Sequence, residues 1–169
     1  MKPVANGSSV GLFIVSNEEE LLAAIKEARE KNLTNYIVEP FIVGREITVG
    51  VRERSDLTLK ALPCSEVRVK TGRQFDYEGK YLGDGVEELT PAPLTPELTK
   101  ECQQMALTMH KLVGCEGYSR TDMILTERGP YLLEINTLPG LSKASFIPQQ
   151  LKVDGMSLRD FFQEQINLL

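Results

Sequence analysis

Four residues in the last third of the chain, Arg120, Asp122, Glu134 and Asn136, have the types and spacing to do phosphate and metal chemistry. They lie where two apolar runs flank a Glu127-Arg128-Gly129-Pro130 turn, so the stretch reads as a β-hairpin. Side chains alternate between faces along a strand. Arg120 and Asp122 therefore share a face of the first strand, Glu134 and Asn136 share one on the second, and closing the hairpin brings the pairs alongside. Two carboxylates so close repel unless a cation or proton intervenes. Hard oxygen donors from a few side chains, with phosphates and water completing the shell, suit Mg²⁺ or Mn²⁺. A single carboxylate pair would read better as a solvated hairpin face. Arg-x-Asp together with Glu-x-Asn favours the metal–phosphate reading.

The elements that must position these groups follow from periodicity. Val10–Val15 is expected as a short apolar strand, and Ser16 with Glu19 forms a capping-box pattern ahead of a helix. Leu21, Leu22, Ile25 and Ala28 give that helix an apolar face, and it ends near Lys31-Asn32. Tyr36–Glu39 is a further strand. Glu46–Arg52 alternates Ile47, Val49 and Val51 with polar residues, predicting a half-buried strand. A Ser55-Asp56 turn into Leu57–Leu62 predicts an antiparallel hairpin, and Glu66–Lys70 another strand. Thr95 and Pro96 open a helix in which Leu98, Cys102, Met105, Met109 and Leu112 recur at steps of three and four, with Gly114 as its stop. The single histidine, His110, reads as a surface residue of that helix. Ser157 caps a last helix carrying Leu158, Phe161, Phe162 and Leu168. The class is α+β, a mixed or antiparallel sheet with flanking helices on one side and a lobe boundary near Ile42-Val43-Gly44.

Composition narrows the function classes. A chain of 169 residues, 41% hydrophobic and 25% charged, is long enough for one sizeable core or two small lobes. A net charge of −5 without a basic cluster argues against nucleic acid as a partner. Cys64, Cys102 and Cys115 have no paired metal spacing and read as reduced thiols of a cytoplasmic protein. No apolar run approaches the ~20 residues that span a bilayer, and no signal-like segment opens the chain, so no membrane partner is expected.

Other stretches carry binding potential of their own. Gly7, Ser8, Ser9 and Gly11 can bring backbone N–H groups and hydroxyls near an anion, or form only a turn. Lys2 beside Pro3 reads equally as a phosphate ligand and as a solvated strand-end lysine. Glu39 closes an apolar strand, and Pro40 after it leaves the N–H groups of Phe41 and Ile42 as the available donors, an arrangement able to grip a purine edge. Residues 71–85 form a long glycine- and aromatic-containing loop of the kind that serves as a lid. In it Lys80 offers a cation and Tyr81 a hydroxyl.

Arg120-x-Asp122 followed by Glu134-x-Asn136-x-x-Pro139-Gly140 resembles the metal-binding end of the ATP-grasp carboxylate–amine ligases, and most of all the D-alanine–D-alanine ligase family. Lys2-Pro3 with Asn6–Gly11, Glu39–Ile42 with Gly44-Arg45-Glu46, and Phe75–Tyr81 resemble three further family stretches in the same order. The resemblance runs over essentially the whole chain. It departs at the front, because the family has an N-terminal domain and part of its central domain ahead of the Lys-Pro strand, and Lys2 is the second residue here. It departs also at Phe75, where many relatives carry Tyr. The resemblance implies an ATP-grasp-like C-terminal portion, with residues 1–44 the remainder of the central lobe and 45–169 the C-terminal lobe.

It further implies ATP and Mg²⁺ (or Mn²⁺) as cofactors and D-alanine as substrate. Lys2 and Lys80 would meet the phosphates, and Glu39, Phe41, Ile42 and Glu46 the adenosine. Asp122, Glu134 and Asn136 would hold the metal, and Arg120, Ser8 and Tyr81 would act in catalysis. Gly140 and Ser145 would receive the second D-alanine, although alone they read as a Ser-rich turn. Tyr81 goes with an amine nucleophile; a His there resembles depsipeptide-forming relatives. The chemistry would be an acyl phosphate attacked by an amine, in the service of peptidoglycan precursor synthesis, and full-length members would be homodimers. A non-catalytic nucleotide- or metal-binding piece, and a ligase for another small amino acid, stay open as alternatives.

Overall fold

A computed structural model describes residues 1–5, 10–69 and 86–168 of the chain. The described residues fall into two compact units, one of residues 1–5 and 10–42 with 69 and 86, the other of residues 43–68 with 87–168.

In the first unit, β1 (Lys2–Pro3) pairs antiparallel with β2 (Tyr36–Ile37), Lys2 facing Ile37. Val10–Val15 does not form the expected strand. Gly11 turns the chain at φ +77° and accepts the Tyr36 hydroxyl on its carbonyl at 3.2 Å, while Phe13 exchanges two 2.9 Å hydrogen bonds with Met1. Helix α1 (Glu18–Glu30) starts one residue later than its sequence suggests, because the Asn17 side chain accepts the Glu20 N–H. Glu20 in turn accepts the Ser16 N–H, so the reciprocal cap is built from Asn17 and Glu20 rather than Ser16 and Glu19. Its buried residues are Ala24 and Ala28, while Leu22 is exposed. Asn32, at φ +56°, ends it as expected.

The second unit is built on a six-stranded sheet of order β6-β5-β3-β7-β8, with β4 also pairing β3. Its strands are β3 (Arg45–Glu53), β4 (Leu59–Ala61), β5 (Ser65–Val69), β6 (Val86–Leu89), β7 (Tyr118–Thr126) and β8 (Gly129–Asn136). The ladders of β3 with β4, β5 and β7, and of β7 with β8, are antiparallel. Strand β3 is not half-buried. Residues 47–52 are buried on both faces, because β3 is central and helices pack on each side. On one side α2 (Pro96–Leu112) sets Cys102 and Ala106 against Ile47, Val49, Val51, Met123 and Leu125. On the other, α3 (Phe146–Val153) and α4 (Leu158–Ile166) pack Ile147, Leu151 and Phe161 around Leu62. The expectation of helices on one side only is thus corrected.

His110 is a further correction. It is buried beneath α2, its Nδ1 2.8 Å from Ser119 Oγ on β7. The buried stripe of α2 is Cys102, Ala106 and His110, at steps of four, and Leu112 points outward. Thr95 caps α2 and Ser157 caps α4 as their sequences indicate. Among the described residues no helix is long and apolar enough to cross a membrane.

Candidate functional site

The β7–β8 hairpin closes around Glu127-Arg128, with Gly129 at φ +102°, a value that suits a residue without a Cβ. Its register sets Arg120 opposite Asn136 and Asp122 opposite Glu134, so all four side chains occupy one face. Past Asp122 the ladder shifts: Met123 faces Leu132, leaving Leu133 as an extra residue in β8. The bulge keeps Leu132 on the face of Met123 while Glu134 stays on the face of Asp122.

Asp122 is the most constrained of the four. Both its oxygens accept from the Arg120 guanidinium, Nε to Oδ1 at 2.9 Å and Nη2 to Oδ2 at 2.7 Å. The hydroxyl of Thr48, directly across on β3, donates to Oδ1. The Arg120 guanidinium carbon also lies 5.9 Å from the centre of the Phe146 ring. Asn136 Oδ1 accepts the Leu138 N–H at 3.0 Å, which starts the turn into Pro139-Gly140. Glu134 is exposed. Two carboxylates and an amide oxygen side by side are the hard donors that Mg²⁺ or Mn²⁺ takes when phosphate and water supply the rest, so the set fits such a metal. Among the described residues there is no cluster of three or more His, Cys, Asp or Glu that could hold a metal without such help.

Gly140 and Ser145 are brought together. A Cβ on Gly140 would lie 2.9 Å from Ser145 Oγ, which also pairs with Ser142 Oγ at 2.9 Å. Ser145 is the N-cap of α3, a helix its sequence did not reveal, although Pro148 within its first turn is compatible with one. Glu46 lies on β3 opposite Ile124, on the face of Asp122.

The first unit holds Lys2, Glu39, Phe41 and Ile42. Lys2 Nζ is 2.9 Å from Glu39 Oε2, an ion pair with its side chains 32% and 49% exposed. Phe41 is exposed beyond Pro40. Ser8, Lys80 and Tyr81, with the rest of the 71–85 loop, lie outside the described residues.

The ionic cluster on Glu66 is not apparent from the sequence. Glu66 on β5 is buried and takes a two-pronged bond from Arg45, 2.8 Å at each oxygen, and a 2.9 Å bond from Arg68. These bonds, the Arg45 fork first, hold its carboxyl below the usual range against the opposing effect of burial. The signal was available as Arg45 and Glu66 on paired strands, but it needed the β3–β5 register to be seen.

A family model described as D-ala D-ala ligase C-terminus matches residues 1–167. The D-alanine–D-alanine ligase of Leptospira interrogans is 41% identical over 174 residues, covering 99% of this chain and 48% of that protein. The solved structure of VanG D-Ala:D-Ser ligase from Enterococcus faecalis matches with a TM-score of 0.82 at 35% identity, over 99% of this chain and 48% of that one. A D-alanine–D-alanine ligase from Bacillus anthracis, complexed with ATP, matches with a TM-score of 0.72 at 27% identity, over 92% and 50% of the two chains. The chain spans about half the length of the curated relatives it matches.

Proposed function

Because the chain belongs to the D-Ala–D-Ala ligase C-terminus family, we propose that it is the metal- and nucleotide-holding part of an ATP-dependent ligase that joins two D-alanines. The observation that carries this reading is the hairpin register, Arg120 across from Asn136 and Asp122 across from Glu134. Residues 1–44 would belong to the central lobe and 45–169 to the C-terminal lobe. The setting would be the cytoplasm, the product a peptidoglycan precursor, and the assembled enzyme a homodimer.

A carboxylate is a poor acyl donor; ATP would phosphorylate that of the first D-alanine, leaving ADP and an acyl phosphate, and attack by the neutral amine of the second would form the amide bond with release of phosphate and a proton. Asp122, Glu134 and Asn136 would hold Mg²⁺ or Mn²⁺, which supplies neutralisation of phosphate charge when bound. Arg120 is oriented by Asp122 and Phe146, and would stabilise charge on the transferring phosphoryl and on the tetrahedral intermediate. Lys2 and Lys80 would bind phosphate oxygens. Glu39 and the Phe41 and Ile42 backbone would hold the base, and Glu46 the ribose. Ser8 and Tyr81 would orient the substrates, and Gly140 and Ser145 would receive the carboxylate of the second D-alanine. The reaction needs no nucleophilic side chain; catalysis would be positioning and electrostatics.

A second reading is nucleotide and metal binding without turnover. D-alanine-dependent ADP release decides between them, measured on the chain alone and with the remaining portion of a relative added in trans. Turnover in the mixture supports the ligase reading. ADP release that responds to another amino acid and not to D-alanine would overturn the substrate assignment.

A further inference from the structure

Gln150 is fully buried on α3, and its amide is spent on the strand that faces the metal pair. Its Oε1 accepts the Gly50 N–H at 2.9 Å, and its Nε2 donates to the Thr48 carbonyl at 3.0 Å and to Ser65 Oγ at 3.0 Å. The reason lies in the sheet. Along this edge of β3, β5 pairs with residues 46–48 and β4 with residues 51–53, so neither ladder serves the backbone between them. Leu62 N–H reaches the Gly50 carbonyl at 2.8 Å. The Gly50 N–H is left to Gln150, and a buried backbone group of this kind must be paired; Thr48, which ends the β5 ladder opposite Ser65, has its carbonyl bonded by the same amide.

Those two residues stand directly across from the Arg-x-Asp motif, Thr48 opposite Asp122 and Gly50 opposite Arg120. Their own polar groups point away from β7, so 48/122 and 50/120 are non-hydrogen-bonded pairs, in which side chains approach most closely. Thr48 uses that proximity to donate its hydroxyl to Asp122 Oδ1. Gly50 uses it differently. A Cβ there would lie 2.5 Å from Ile147 Cδ1 and 2.7 Å from Gln150 Oε1, so glycine is what lets α3 approach. The helix thus held begins at Ser145, five residues before Gln150.

We infer that Gln150 is a positioning residue, holding β3 so that the Thr48 hydroxyl fixes Asp122 beside Arg120. It also ties the Ser145 end of α3 to the same strand. The inference rests on the proposed metal role of Asp122 and deepens it, since groups behind a metal-holding carboxylate set its orientation.

The test is Mn²⁺ titration of the 169-residue chain by calorimetry, with the carboxylate carbon of Asp122 followed by NMR without metal. Gln150→Met and Thr48→Val should each weaken Mn²⁺ about threefold to tenfold. Thr48→Ser should restore it to within about twofold of wild type, because the hydroxyl is back. The double variant should bind no more weakly than Thr48→Val alone, since both act through one hydroxyl. The Asp122 carbon signal should move in Gln150→Met in the direction it moves in Thr48→Val. If Gln150→Met does not fold, Ser65→Ala removes one acceptor of the amide, and a smaller shift of the same sign is expected. A Gln150 or Ser65 variant that melts lower but keeps the wild-type Mn²⁺ affinity and Asp122 signal overturns the inference. Failure of the underlying metal reading appears separately, as equal Mn²⁺ binding by wild type and Asp122→Asn.

Discussion

Asp122 and Glu134 are direct partners across the β7–β8 ladder, and only Asp122 has a guanidinium on it. Like charges at opposed positions of a sheet are destabilising, by a few tenths of a kcal/mol when one is exposed. Glu134→Gln should therefore stabilise the metal-free chain slightly, by ~0.5 kcal/mol or less. The same change should abolish most of the rise in Tm that Mn²⁺ gives the wild type. Thermal melts with and without Mn²⁺ check both signs, and a variant less stable without metal and equally responsive to it would contradict the assignment.

Lys2 and Glu39 form an ion pair of the first unit, and both are partly solvated. Pairs of this kind contribute ~0–1 kcal/mol. Lys2→Met is accordingly expected to leave Tm nearly unchanged while weakening ATP binding, because a phosphate would replace Glu39 as the partner of the ammonium. ATP titration beside a melting curve separates the two effects. A large stability loss with unchanged nucleotide affinity would assign Lys2 a structural role instead.

Acid should destabilise the chain in two stages. Burial holds His110 below its ordinary 6.5, against the opposing pull of Glu53, and the Arg45 fork holds Glu66 below 4.5. In both cases the unfolded chain binds more protons than the folded one, so stability falls as pH falls. The His110 contribution is complete above pH 6.5 and is lost on acidification beneath it. That of Glu66 is complete above pH 4.5 and is lost on acidification beneath that. His110→Gln should flatten the upper stage alone and Glu66→Gln the lower alone, read as Tm against pH.

Gly44→Ala should destabilise by ~1–3 kcal/mol through overpacking. The added Cβ would lie 2.5 Å from the Leu125 carbonyl oxygen, a backbone atom of β7 that cannot turn aside. Urea unfolding measures it, and a change below ~0.5 kcal/mol would show that β3 can shift at its start.

The hairpin, and the shared faces of Arg120 with Asp122 and of Glu134 with Asn136, were legible from alternation, but the bulge was not: a two-residue turn with unbroken alternation would set Asp122 opposite Leu133, and the shift past Met123 brings it to Glu134. The caps at Thr95 and Ser157 were legible for the same local reason. What failed depended on distant partners. His110 reads as exposed until Ser119 of the neighbouring strand is known to pair its Nδ1. Large residues at 105, 109 and 112 suggested the buried stripe of α2, whereas close approach to the sheet selects Cys102 and Ala106. Val10–Val15 has the composition of a strand, but a strand also needs a neighbour, and among the described residues Phe13 alone pairs backbone to backbone there. Gln150 carries no local signal at all, since its purpose is set by a gap between two ladders formed about 85 to 102 residues away in the chain.

The extra residue at Leu133 divides β8 into two stretches whose side-chain phases are set separately. Tyr131 and Leu132 take theirs from pairing near the turn, and Glu134 and Asn136 take theirs from the far end of β7. Deleting Leu133 would merge the two, and a one-residue slip transfers a whole set of side chains to the opposite face. Glu134 and Asn136 would then point toward α2, or the turn-proximal residues would have to leave their partners. A deletion that removes no polar side chain would in this way dismantle the acidic pair, while exchange of Leu133 for another apolar residue would leave it standing.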